Sequence, residues 1–116
     1  MNINDRDISI IKHIEDYCLQ IDETVSRFGD DFETFDSDRI YINAISLCIL
    51  QIGELVGILS DDFKNDNPTV PWKQIKQMRN IVAHRYGTVD TTVVWDVIKV
   101  DIPELKEYCH KIAEHE

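Results

Sequence analysis

The run IYINAISLCILQIGELVGIL, Ile40 to Leu59, sets the tightest limit on what this chain can fold into. A helix of that length would reach across the hydrocarbon core of a bilayer. However, Asn43, Gln51 and Glu54 lie within it, and Asp-rich stretches flank both ends. A carboxylate inside a membrane is strongly unfavourable. The expected structure is therefore a helix from about Asp38 to Leu59 that packs on two faces in a protein outside the membrane. Tyr41, Ile45, Cys48, Ile52, Leu55 and Leu59 form one apolar stripe, and Ile40, Ala44, Leu47 and Leu50 a second. Two stripes suit either the centre of a bundle or a dimer seam. Gly53 and Gly57 are four residues apart and read as ordinary helix packing.

The rest of the chain repeats the helical period. Ile8, Ile11, Cys18, Ile21, Val25 and Phe28 recur at three- or four-residue steps or multiples, predicting a helix from Asp5 to Phe28 that stops at Gly29. DDFETFDSD reads as an acidic loop in which Asp36 or Ser37 caps the following helix. SDDFKNDNPT reads as a loop with turn chemistry. Pro71 suits the first turn of a third helix that runs to Tyr86 and ends at Gly87. A fourth helix begins near Asp90 despite the β-branched TTVVW, which has no partner strand. Pro103 predicts a kink or break near Asp101, followed by a helical piece to about Ala113. The expected fold is all-α: a single domain over 1–116, an up-and-down four-helix bundle with room for a short fifth helix at the C-terminal end.

Charge is uneven. The chain has a formal net charge of −10, yet residues 64–86 carry five basic groups against one acidic, a local +4. A uniformly acidic protein repels nucleic acid, whereas this one has a single region that could attract phosphate. On a helical wheel, Trp72, Ile75, Met78, Val82, Ala83 and Tyr86 share one arc, while Lys73, Lys76, Gln77, Asn80 and His84 share the opposite one. Arg79 falls within the apolar arc. It could snorkel or pair with Glu54, the lone carboxylate of the apolar helix.

An Arg, an amide, an imidazole and a phenol thus lie within eight residues, Arg79 to Tyr86. Cleavage of RNA at its own 2′-hydroxyl needs little more. A base that titrates near neutrality takes the proton, and a fixed planar cation stabilises the charge that develops on phosphorus. His84 and Arg79 suit these tasks, Asn80 can hold the His tautomer or a phosphate oxygen, and Lys73, Lys76 and Arg85 can bind the RNA backbone. This chemistry needs no metal or cofactor.

The segment MRNIVAHRYGTVD resembles the HepT-like toxins of the HEPN superfamily, whose signature is Arg-x4-His-x-Tyr. Arg79, His84 and Tyr86 match it, and Asn80 matches the polar residue that usually follows the Arg. QIGELVGILSDDF, NPTVPWKQIKQ and VDTTVVWDVIKVDIPEL are similar to the flanking segments, so the resemblance covers nearly the whole chain. It implies an all-α homodimer with two motif copies facing across a cleft, and metal-independent endoribonuclease activity of a type II toxin. It also implies a minimal nucleotidyltransferase antitoxin able to transfer AMP to Tyr86. In that setting Arg79 is expected to line the dimer cleft rather than pair with Glu54 inside the bundle. The competing reading is a non-catalytic helical companion of a nucleotidyltransferase that binds nucleotide or RNA without cutting it.

Other features are weaker. Cys18, Cys48 and Cys109 are an odd number without CxxC spacing and read as small buried hydrophobes in a reducing cytoplasm. The polar, acidic start MNINDRDISI does not suit a secretory signal. Cys109, His110, Glu114 and His115 lack the spacing of a metal site, and Trp72 and Trp95 read as core anchors rather than stacking platforms.

Overall fold

The computed structural model describes residues 5–83 and 89–114. All its regular structure is helical: α1 (Asp5–Phe28), α2 (Phe32–Ser37), α3 (Arg39–Gly57), α4 (Asp61–Asp66), α5 (Trp72–Ala83), α6 (Thr91–Asp96), a π-helical turn (Val97–Asp101) and α7 (Ile102–Glu114). α3 packs against both α1 and α5, α1 packs against α7, and the α6–α7 run closes the bundle. The expected all-α bundle is what the chain forms, with two short helices added.

α1 turns Ile11, Ile14, Cys18 and Ile21 fully inward and keeps its charged residues other than Asp7 toward solvent, as the spacing requires. It ends at Gly29, whose φ of +129° is open to glycine and strained for other residues. The Gly29 carbonyl accepts a hydrogen bond from the Tyr41 hydroxyl at 3.0 Å, which ties the end of α1 to α3.

Both expected loops contain helices. In the acidic segment, Asp31 caps α2 by accepting from the Thr34 amide, and the fully buried Phe35 ring packs edge-on against Tyr41 at 4.9 Å. α3 is then capped by Asp38, which accepts from the Ile40 and Tyr41 amides, and not by Asp36 or Ser37. Ser37 instead donates to the Glu33 carbonyl within α2. After α3, Ser60 caps α4, and its own amide and hydroxyl donate to the buried carboxylate of Asp7 at 2.9 and 2.7 Å. Pro71 lies just ahead of α5, where its carbonyl accepts from the Ile75 amide.

Of the kink or break expected near Asp101, the structure shows no break, but the regular α-helix is interrupted there. The helix instead widens into the π turn, with the Ile102 amide bonded to the Val97 carbonyl, and continues as α7. Proline lacks an amide hydrogen and its ring crowds the carbonyl four residues back, so a wider turn just ahead carries the helix past it.

α3 is, among the described residues, long and apolar enough to cross a membrane. One of its faces (Tyr41, Ile45, Cys48, Ile49, Ile52, Val56) is core. The second stripe is only partly covered by the described residues: Ala44 and Leu50 are half-buried, whereas Ile40 is 65% and Leu47 55% exposed. α3 is therefore not a helix enclosed on all sides at the bundle centre.

Candidate functional site

The locally cationic face belongs to α5. Trp72, Ile75 and Met78 are buried, and the Trp72 indole donates to the Asn67 carbonyl at 3.0 Å. This anchoring turns Lys73, Lys76, Gln77 and Asn80 outward as one exposed face, as the wheel predicts. Of the candidate site residues, Arg79, Asn80, Lys73, Lys76 and Glu54 are described. His84, Arg85 and Tyr86 lie outside the described residues, so the structure does not test whether they meet Arg79.

Arg79 sits at the line where α5 meets α3, half-exposed. Its Nε lies 2.5 Å from Glu54 Oε1, with the two side chains 38% and 54% exposed. The expectation that Arg79 avoids Glu54 is therefore overturned. The pair is not inside the bundle, however: it lies on the surface beside the partly covered stripe of α3. The Nε atom is itself shut off from solvent and has no well-aligned hydrogen-bond acceptor. The carboxylate contact is thus mainly electrostatic, and solvent reaches the side chain at atoms other than Nε. An arginine held by one edge can still offer its terminal nitrogens to an oxyanion.

Gly53, one residue before Glu54, makes this placement possible. A Cβ on Gly53 would fall 2.7 Å from Arg79 Cβ and 3.2 Å from the Lys76 carbonyl oxygen. At Gly57 the nearest atom would be the flexible Lys76 Cε at 3.4 Å. Reading both glycines as sites of close helix packing therefore holds, with Gly53 much the tighter of the two.

The chain beyond the motif is fixed as firmly as α5. Asp90 caps α6 through the Thr92 and Val93 amides, and the Thr92 hydroxyl bond is the main reason its carboxyl is held below the usual carboxylate range. The Thr91 hydroxyl donates to Asp36 at 2.6 Å, linking α6 to α2.

The remaining candidates are structural. Cys18, Cys48 and Cys109 are buried, and desolvation pushes the Cys48 and Cys109 thiols up to about 11 and about 12. His110 is exposed, with Nδ1 3.1 Å from Glu15, whereas Cys109 points into the core. Trp95 packs on Phe35 at 5.4 Å.

These features define a helical-bundle protein with one cationic helix face and a surface arginine suited to phosphate. The family model described as ribonuclease HepT-like matches residues 10–112, and the chain belongs to that family. It is an enzyme of the ribonuclease class. It is 36% identical to the "Probable ribonuclease HepT" of Thermococcus cleftensis over 86% of this chain and 92% of that one. It is 33% identical to a "Putative RNase" of Caldanaerobacter subterraneus over 91% of this chain and 93% of that one. A "Putative RNase" of Methanocaldococcus jannaschii is 31% identical over 66% of this chain and 71% of its own length. No solved structure matches the chain.

Proposed function

We propose that this protein is the toxin of a type II toxin–antitoxin system, a metal-independent endoribonuclease that acts in the cytoplasm as a homodimer. His84 takes the proton of a ribose 2′-hydroxyl, whose oxygen then bonds to the adjacent phosphorus. The bond from phosphorus to the 5′-oxygen breaks, and that oxygen leaves with a proton. Arg79 stabilises the charge on the phosphoryl oxygens, Asn80 orients His84 or a phosphate oxygen, and Lys73, Lys76 and Arg85 hold the RNA backbone. The observation that carries this reading is the position of Arg79, half-exposed beside a cationic helix face in a chain of a ribonuclease family.

The second copy would cover the α3 stripe that the described residues leave exposed at Ile40 and Leu47, together with Ile58 just past the end of α3. Such a partner would place a second Arg79 near the first and make the site composite. The antitoxin would be a minimal nucleotidyltransferase. It would transfer AMP from ATP to Tyr86, releasing pyrophosphate, and the added anion would repel RNA. The Arg79–Glu54 pair is the observation that favours the other reading, a non-catalytic binding companion, because part of the guanidinium is already engaged.

RNA cleavage with EDTA present separates the two. The toxin reading expects cleavage by the wild type and its loss in a folded His84→Ala chain; a wild type that binds RNA without cutting it selects the companion. The intact mass of protein made with and without the neighbouring nucleotidyltransferase tests the modification, since an unchanged mass removes Tyr86 from the scheme. Leu47→Lys should convert dimer to monomer in light scattering while the helical circular dichroism is kept. A dimer that survives this change places the interface elsewhere.

A further inference from the structure

We propose that Gly53 and Glu54 form a seat that positions Arg79, with Gly53 setting how close α5 comes and Glu54 gripping the guanidinium from its Nε side. The inference rests on the reading of Arg79 as the group that meets the scissile phosphate. Three observations converge on it. First, Arg79 Cβ occupies the space where any side chain at residue 53 would begin, so α3 presents bare backbone at the point where Arg79 leaves α5. Second, the next residue of α3 supplies the carboxylate 2.5 Å from Nε. Third, Nε is sealed from water while the side chain as a whole is 38% exposed, so the edge that Glu54 holds is closed and solvent reaches the side chain at other atoms.

An arginine on a helix surface has many rotamers, and an exposed ion pair alone restrains them weakly. Close backbone approach removes the space for most of them, and the carboxylate selects among the rest. What remains is a guanidinium held at its Nε edge, so that a bidentate phosphate contact would be made through its terminal nitrogens. Gly53 and Glu54 are thus positioning residues that act through Arg79 and not on RNA directly. A misplacement of about 1 Å at such a group can cost roughly 100-fold in rate.

The test has two arms. In NMR of protein labelled with 15N-arginine, the Arg79 Nε–H should exchange slowly in the wild type and much faster in Glu54→Gln and Gly53→Ala, while Gly57→Ala leaves it unchanged. In single-turnover RNA cleavage, Glu54→Gln should lower kcat roughly 10- to 100-fold with KM nearly constant, and in an Arg79→Lys background it should add less than about twofold. Exchange of the wild-type Arg79 Nε–H as fast as in free arginine overturns the seat. So does a Glu54→Gln enzyme with unchanged kcat, or one whose loss multiplies with that of Arg79→Lys. Gly53→Ala shifts a helix contact and can lower stability, whereas Glu54→Gln lies on the surface and keeps its shape, so the result does not depend on the glycine variant folding. A wild type that leaves RNA intact refutes the ribonuclease role of Arg79, and the exchange arm still decides the seat.

Discussion

The two long seams of the bundle use charge in opposite ways. Along the seam of α1 with the C-terminal helix, polar contacts strap the outside: the ion pairs Lys106–Asp22 at 2.6 Å and Lys99 of the π turn with Asp30, and the contact of His110 with Glu15 at 3.1 Å. Every one of these pairs is partly open to water, and each is worth about 0.2–1 kcal/mol. Where α3 meets α5, Arg79–Glu54 is the one ion pair among the described residues, and the seam is set by backbone contact at Gly53. The first seam can lose a charge and keep its shape. In the second, the charge is placed by the shape, which suits a group that has to meet a ligand in a fixed orientation.

Arg79→Ala should break the contrast most visibly. Cleavage should fall by about 100- to 1000-fold, the loss typical of removing one oxyanion stabiliser, with little change in Tm. A large fall in Tm would make Arg79 a structural strap like the others. Next come Ile52→Ala on the α3 core face and Leu105→Ala in α7. Both side chains are buried, and each change should cost about 2–5 kcal/mol in urea unfolding. Equal costs would show that the seams differ in charge and not in their apolar core. Lys106→Ala should cost least, about 0.2–1 kcal/mol. The hydrogen bond that Lys106 donates to Asp22 raises the lysine pKa, so its stabilisation is present in full below the ordinary lysine value and is lost as pH rises through the raised one. Wild type and variant should therefore converge in stability at strongly alkaline pH, and a gap that persists there would assign the effect to packing of the lysine stem.

Much of this arrangement was legible in the sequence. Ile11, Ile14, Cys18 and Ile21 mark α1 because a long helix repeats its period often enough to be read. α2 and α4 have six residues each, too few for a period, and their acidic composition mimics a loop. Their signal lies in the caps, Asp31 three residues before Thr34 and Ser60 three before Phe63. The second stripe of α3 was visible, but periodicity records only that a face is apolar, not what covers it. Glu54 was a candidate partner of Arg79 from its isolation alone. Close approach at Gly53 and Gly57 was legible, but not that Arg79 stands opposite Gly53, because that depends on how a distant helix is placed.

The π turn ahead of Pro103 ties two positions together in evolutionary terms. Deleting one residue from Val97–Asp101 would restore an ordinary α-helix and set Pro103 in its interior, where it would bend the run. Replacing Pro103 alone would leave a wide turn that nothing requires. Each change is unfavourable or idle by itself, while the two together give a straight helix. A lineage that loses the proline should therefore tend to lose the extra residue as well, and relatives should differ in length here in step with that one position.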